Sequence, residues 1–257
     1  MNRWCKNLGH LSSLKSLIAF LTIIPVAKAP EDVSELGKVW FLSPLLGAFI
    51  GALVGTVTWL SSKILPSLVV GPLAIGLIVL VTGAHHFDGL LDFGDALMVR
   101  GSSERKIEVM HDKSLGAGGF ALAFFVSILA IASVWTLAPN LIFQALVISE
   151  MSAKLSMVLA SRLGRSVHEG TGTIVVNAMH GKNANTKTLI ASIVSLVIAG
   201  FILGYRGVAA TLSSMVCAAL MTAVSHNQFK GVTGDVFGAI NETSRMLALI
   251  VLAVVIR

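Results

Sequence analysis

Ser67-Leu68-Val69-Val70-Gly71-Pro72-Leu73-Ala74-Ile75-Gly76-Leu77-Ile78-Val79-Leu80-Val81 runs, through Thr82-Gly83-Ala84, into His85-His86-Phe87-Asp88-Gly89-Leu90-Leu91-Asp92-Phe93-Gly94-Asp95. The first part is an uncharged apolar run, and in lipid such a run is stable only as a helix that satisfies its own backbone. The second part brings three carboxylates where the apolar run ends. If that segment is helical, spacings of four and three residues put Asp88, Asp92 and Asp95 on one face. Three like charges on one face repel unless a cation neutralises them. Oxygen-only ligands of this kind suit a hard divalent ion, above all Mg²⁺ held together with substrate phosphates.

The rest of the chain agrees with a membrane reading. Its 257 residues are 55% hydrophobic and 12% charged, with a mean hydropathy of +0.85, which exceeds what a soluble domain of this size needs. The expected fold class is therefore all-α: a polytopic integral membrane helix bundle forming one catalytic domain over residues 1–257. Spanning helices are expected at about 39–60, 66–84, 119–138, 141–161, 188–204, 207–227 and 236–256, seven in all. Leu14–Ala27 is short, interrupted by Lys15 and Ser16 and closed by Pro25, so it reads as a re-entrant or interfacial helix. The start, Met1–Lys6, does not read as a cleaved signal peptide. Cys5 and Cys217 are far apart and show no metal-ligand spacing, so both thiols are expected free.

Positive charge sets the expected orientation. Arg3, Lys6, Lys15, Lys28, Lys38, Arg100, Arg105, Lys106, Lys113, Arg162, Arg165, Lys182, Lys187 and Lys230 fall on one side of these spans. Lys63, Arg206 and Arg257 fall on the other. The first side is expected to face the cytoplasm, across the cytoplasmic membrane. This loop charge explains the net charge of +6, and no nucleic-acid partner is expected. Loops 85–118, 162–187 and 228–235 then share one face with most of the ionisable residues.

Those loops carry the chemistry. Ser102 or Ser103, followed by Glu104 and Glu108, reads as an N-capped helix that places Arg105, Glu108 and Asp112 on one side. Asp112 is thus a candidate fourth carboxylate. Lys113 and the glycines at 116, 118 and 119 are suited to a phosphate. Glu104 and Glu108 are more readily explained as partners of neighbouring bases. Arg162 and Arg165, among glycines and hydroxyls, could cradle an anion or simply carry loop charge. Glu150 and Lys154, four residues apart in an apolar helix, favour an internal salt bridge. Gly231-Val232-Thr233-Gly234-Asp235 precedes a helix, where backbone N–H groups favour an anion, while Asp235 could equally cap that helix. Asn227 borders the same loop. His85 and His86 fit a substrate contact better than zinc, because no cysteine accompanies them.

Three separated stretches also carry a resemblance. His86-Phe87-Asp88-Gly89-Leu90-Leu91-Asp92-Phe93-Gly94-Asp95, Glu108-Val109-Met110-His111-Asp112-Lys113-Ser114-Leu115-Gly116 and Gly231-Val232-Thr233-Gly234-Asp235-Val236-Phe237-Gly238-Ala239 resemble, in order, motifs of the cobalamin synthase family, adenosylcobinamide-GDP ribazoletransferase. Phe20-Leu21-Thr22-Ile23-Ile24-Pro25 is similar to that family's N-terminal run. Phe93, His111 and Lys113-Ser114-Leu115 depart from its usual pattern.

The resemblance implies that adenosylcobinamide-GDP and α-ribazole, or its 5′-phosphate, are joined with release of GMP. It implies Mg²⁺ on Asp88, Asp92 and Asp112, with Asp235 holding a second metal or the nucleotide, and Asp95 as general base. Arg162, Arg165 and Lys113 would steady phosphate oxygens, and His86, Arg105, Glu108, Gly116, Asn227, Thr233 and Gly234 would complete the substrate contacts. The bilayer is the expected surroundings, and a homo-oligomer stays open. Two rivals remain at this point: a CDP-alcohol phosphotransferase of phospholipid synthesis, and a membrane ion transporter.

Overall fold

The computed structural model describes residues 3–26, 34–167 and 170–255, with side chains from residue 12 onward. Lys28, Arg257 and the side chains of Arg3, Cys5 and Lys6 lie outside the described residues. Twelve α-helices follow one another among these residues: α1 (Arg3–Leu21), α2 (Ser34–Val39), α3 (Ser43–Ser61), α4 (Ser67–Val81), α5 (His85–Met98), α6 (Ser103–Met110), α7 (Ala117–Thr136), α8 (Ile142–Leu163), α9 (Thr171–Ala178), α10 (Ala184–Leu203), α11 (Tyr205–Phe229) and α12 (Gly234–Val255). The one β-type pairing among them is an isolated parallel bridge between Ser166 and Val232.

Six stretches, ending in α3, α7, α8, α10, α11 and α12, are long and apolar enough to cross a membrane. Helices α4 and α5 pass the same test only when taken together, and they meet at a 98° bend. The all-α polytopic bundle is borne out, with six or seven crossings. The bend has a local cause: Gly83 and Ala84 both take left-handed conformations, at φ 64° and 60°. Glycine adopts this readily, whereas at Ala84 it costs about 1–2 kcal/mol. Beyond the bend, α5 does not continue the crossing of α4. Its backbone touches the first turns of two other helices, Gly89 against Asp235, Gly238 against His86, and Gly94 against Gly119. It therefore lies across the starts of α12 and α7, at the end of the spanning bundle.

Helix α8 sits at the centre, with nearly every side chain buried. It packs on α3 through Gly47, Gly51 and Gly55, each facing the α8 backbone at Glu150, Leu146 or Phe143. Small residues four apart are what allow two membrane helices to approach this closely. A fully buried ion cluster joins α8 to α12. Arg245 binds both Glu150 and Glu242, Lys154 donates to Asn241 Oδ1 at 2.7 Å, and its Nζ lies 3.8 Å from Glu150. The expected internal salt bridge is present and is larger than the Glu150–Lys154 spacing implied. Two acids face two bases, so no net charge is left in the cluster.

The shorter helices gather at the end where α5 lies. Helix α1 starts before the expected Leu14–Ala27 segment and ends within it, at Leu21, and its apolar part, Ser12–Leu21, is too short to span. It lays Leu17 and Leu21 into the core, and Phe20 meets Trp40 edge-on at 6.3 Å. Ile23 N–H then donates to Val81 O at the end of α4. Cys217 is a free, buried thiol, as expected.

Candidate active site

Three carboxylate-bearing elements converge on one cleft of about 360 Å³ at this end, lined by Asp88 and Asp92 of α5, Asp112 and Lys113 after α6, and Asp235 of α12. Each is placed by ordinary packing. The α5 face follows from the 98° bend and from Gly89, which lets α5 lie directly on the Asp235 backbone. Helix α6 begins on the expected cap, Ser102 Oγ accepting from Arg105 N–H at 3.4 Å. It is tied to the end of α11 by Lys106 Nζ donating to Gln228 Oε1 at 2.5 Å and by the Lys230–Glu104 ion pair. Buried Met110 accepts from Thr233 Oγ1 at 3.3 Å, which delivers Asp112 to the cleft mouth. Thr233 Oγ1 also accepts from Val236 N–H at 3.2 Å and so caps α12. Asp235, the alternative cap considered from sequence, is left to line the cleft.

The electrostatics follow from this crowding. Burial, then the charges of Asp88, Asp235 and Asp95, push the Asp92 carboxyl up to about 7. Asp112 is held below the ordinary carboxylate range by Ser114, whose backbone N–H donates to its Oδ1 at 3.0 Å. Glu104 is drawn down to about 2 by its bond to Lys230. All four cleft ligands would be carboxylate oxygens, a donor set suited to Mg²⁺ or another hard divalent cation. Among the described residues, no three His, Cys, Asp or Glu side chains are drawn close enough to form a ready-made metal cage. Mg²⁺ sites that share the ion with substrate phosphates commonly use only one or two protein carboxylates.

Two further clefts adjoin the first. One, of about 380 Å³, shares Asp88 and Asp235 with it and is walled by Phe20, Trp40, Phe237 and His86. The other, of about 170 Å³, is lined by Ser166, Gly170, Thr171, Thr173, Thr233, Gly234 and Asp235. Val232 N–H donates to Arg165 O at 2.8 Å, which holds residues 164–166 against the segment that leads into α12. Asp235 lines all three clefts. His86 is 5% exposed, and its Nδ1 has no hydrogen-bond partner among the described residues.

Several expected residues are placed elsewhere. Asp95 is on the expected face, but Gly116 N–H and Gly119 N–H donate to its two carboxylate oxygens at 2.7 and 2.8 Å. It caps the start of α7, where a negative charge is favoured, so both oxygens of the expected general base are engaged there. The Gly116 N–H is taken by Asp95, so the glycine turn holds the chain's own carboxylate where a phosphate was expected. Arg105 and Glu108 pair with each other at 3.0 Å on the exposed side of α6. Arg162 donates from Nε and Nη2 to Asn185 Oδ1 at 2.9 and 2.7 Å. Arg165 contributes backbone bonds to His226 and Val232, and Asn227 is exposed on the last turn of α11. None of these five lines the three clefts. Sequence reasoning missed Arg245 and the aromatic wall of Phe20, Trp40 and Phe237, which come from separate elements with no spacing to link them.

The deep acids bear on the transporter reading. Glu150 and Glu242 are each bound to Arg245, so they are compensated charges within the bundle, whereas Asp88, Asp92, Asp112 and Asp235 gather in one cleft at its end. Comparison with known proteins points the same way. The family described as cobalamin-5-phosphate synthase matches residues 13–253. A protein of Methanosarcina mazei named adenosylcobinamide-GDP ribazoletransferase is 34% identical, covering 97% of this chain and 94% of its own. Proteins of the same name from Methanococcoides burtonii and Thermococcus gammatolerans are 31% and 33% identical, over 96% and 94% of this chain and 94% and 97% of theirs. No solved structure matches. On a match that spans nearly its whole length, the chain belongs to the cobalamin-5-phosphate synthase family.

Proposed function

We propose that this protein is an adenosylcobinamide-GDP ribazoletransferase of the cytoplasmic membrane, acting at the cytoplasmic end of its helix bundle. The observation that carries the reading is the convergence of Asp88, Asp92, Asp112 and Asp235 on one cleft, in a chain of this family. The grouping of basic loop residues at that same end supports the orientation.

In the proposed reaction, a ribose hydroxyl oxygen of α-ribazole, or of its 5′-phosphate, attacks the phosphorus on the cobinamide side of the diphosphate. A new P–O bond forms, the bridging P–O bond breaks, and GMP leaves. Mg²⁺, when bound, supplies positive charge to diphosphate oxygens and to the departing phosphate. Asp88 and Asp92, on one face of α5, are the side chains that would hold it, with Asp112 across the cleft. Lys113 binds phosphate oxygens from the cleft edge. Asp235 takes the proton of the attacking hydroxyl in place of Asp95, because it lies where the three clefts meet. The acidic cleft holds the diphosphate, and the hydroxyl- and glycine-lined cleft beside Gly234 offers backbone and side-chain donors to phosphate or sugar oxygens.

The test is GMP release and adenosylcobalamin formation by purified full-length protein supplied with adenosylcobinamide-GDP, α-ribazole and Mg²⁺. Asp88→Ala and Asp92→Ala are expected to abolish turnover while the protein still inserts in membranes. Full activity in Asp88→Ala would discard the reading of the acidic cleft.

A further inference from the structure

The smallest of the three clefts differs in kind from its neighbours. Apart from Val232, its lining is made of hydroxyl side chains, glycines and the Asp235 carboxylate, and no lysine or arginine among the described residues takes part. Two helix starts build it. Gly172, in the first turn of α9, lies against the backbone that leads into α12: a Cβ there would sit 3.0 Å from Gly234 N and 3.2 Å from Thr233 C. That contact sets Thr171 beside Gly234 and Asp235. Gly234 faces open space, since a Cβ there would meet only Thr171 Oγ1, at 3.9 Å. Ser166 and Thr173 close the side wall through a 2.5 Å hydrogen bond between their hydroxyls. The result is a pocket of about 170 Å³, with room for one sugar ring but not for a whole nucleoside.

We propose that this cleft holds the ribose ring of the acceptor nucleoside, with Thr171 Oγ1 hydrogen-bonding the ring hydroxyl next to the one that reacts. The proposal rests on the ribazoletransferase reading and names the acceptor's place within it. Charge argues against a phosphate here: a carboxylate with no base opposite it repels an anion but accepts from a hydroxyl. Hydroxyl side chains on several sides suit a sugar, whose oxygens both donate and accept. Connection decides which ribose it is. Asp235 lines this cleft and the acidic one, and in the proposed reaction it takes the proton of the attacking hydroxyl. That hydroxyl belongs to the acceptor's own ring, so the ring must touch Asp235. Since the reading admits a 5′-phosphorylated acceptor, the reacting group is one of the two ring hydroxyls, and its neighbour on the next carbon falls to Thr171. The guanosine ribose lies further off, separated from the attacked phosphorus by the whole departing phosphate. Thr171 is thereby a specificity residue that favours a riboside over a deoxyriboside.

Steady-state kinetics on the full-length protein test this, with α-ribazole and with its analogue deoxygenated next to the reacting hydroxyl. In wild type the analogue should lose about tenfold in kcat/KM. Thr171→Val keeps the shape of an exposed side chain and removes its hydroxyl. In that variant α-ribazole should itself fall about tenfold, and the analogue should be worse than α-ribazole by no more than about twofold, because the partner it lacks is already gone. Thr171→Ser should restore both rate and discrimination. Gly234→Val fills the cleft and should raise the KM for α-ribazole by about tenfold or more, while the KM for adenosylcobinamide-GDP stays within about twofold in every variant. The unchanged donor KM also shows that the variants are folded. An undiminished penalty for the analogue in Thr171→Val overturns the proposal. So does a raised donor KM with an unchanged acceptor KM, which would give the cleft to the guanosine ribose. Loss confined to α-ribazole 5′-phosphate, with α-ribazole unaffected, would give it to a phosphate and overturns the proposal too. Equilibrium dialysis of α-ribazole against the same proteins reads the cleft without turnover. If wild type binds α-ribazole, Gly234→Val does not, and yet no GMP is released, the transferase reading fails and the cleft assignment stands. Equal binding by wild type, Thr171→Val and Gly234→Val overturns the cleft assignment alone.

Discussion

Gly89→Ala tests how closely the acidic cleft depends on backbone contact between two helices. A Cβ at this position would lie 2.8 Å from Asp235 Cα and 2.8 Å from Asp235 O. Both are backbone atoms of the first turn of α12, so no side-chain rotamer can relieve the clash. Restoring ordinary contact at 3.4 Å requires α5 and α12 to separate by about 0.6 Å, which moves Asp88 and Asp92 away from Asp235. Overpacking of this kind costs about 1–3 kcal/mol of stability, and misplacement approaching 1 Å costs on the order of 10²-fold in rate. The expected result is a protein that still inserts and purifies but loses kcat/KM for GMP release by roughly 10- to 100-fold. Gly76→Ala is the matched control, because a Cβ there meets nothing within 4 Å. Wild-type kinetics in Gly89→Ala would refute the claim that the α5–α12 contact sets the geometry of the site.

Asp95→Asn separates a cap from a base: it keeps one of the two acceptors for α7 and sets an NH2 group against the other N–H, so it should lower stability while retaining activity within about tenfold, whereas loss of a general base would cost about 10²- to 10⁴-fold. Arg245→Met leaves Glu150 and Glu242 buried without their shared partner and should lower stability in detergent by about 3–5 kcal/mol, read as a fall in the midpoint of thermal unfolding. The Asp92 carboxyl, pushed up to about 7, is protonated below that pH and charged above it. A cation must therefore displace its proton in acid. Apparent Mg²⁺ affinity should strengthen as pH rises through 6 to 7 and level off above; a flat profile would contradict this. Because the folded value lies above the unfolded one, this group's contribution to metal-free stability is greatest at low pH and is lost as pH rises toward 7. Added Mg²⁺ should restore stability at pH 8.

Most of the fold was legible in the sequence because spanning helices announce themselves by uninterrupted apolar length. The α5 face was legible too, since Asp88 and Asp92 keep helical spacing and both reach the cleft. Sequence separation hid the rest. Nothing local distinguishes Asp95 from Asp92, and only the arrival of Gly116 and Gly119 from the next helix turns it into a cap. Those glycines looked like a phosphate turn for the same reason: a nest of backbone N–H groups suits any anion, including one of the chain's own. The structure sets Arg105, Arg162 and Arg165 outside the clefts, a difference hidden in the sequence because positive-inside loop charge and a phosphate cradle share a composition. Arg245 escaped notice as a single charge inside an apolar run, although an ionisable residue at that depth needs a buried partner.

The central claim is that the cleft aspartates work through a divalent cation on a diphosphate. Its most direct test is GMP release from adenosylcobinamide-GDP by metal-stripped protein, titrated with Mg²⁺ for wild type and for the Asp88→Ala, Asp92→Ala double variant. Wild type should be silent in chelator and rise to saturation with Mg²⁺, while the double variant stays silent throughout. Equal GMP release by wild type in chelator and in Mg²⁺, or Mg²⁺-driven release by the double variant, would contradict the account.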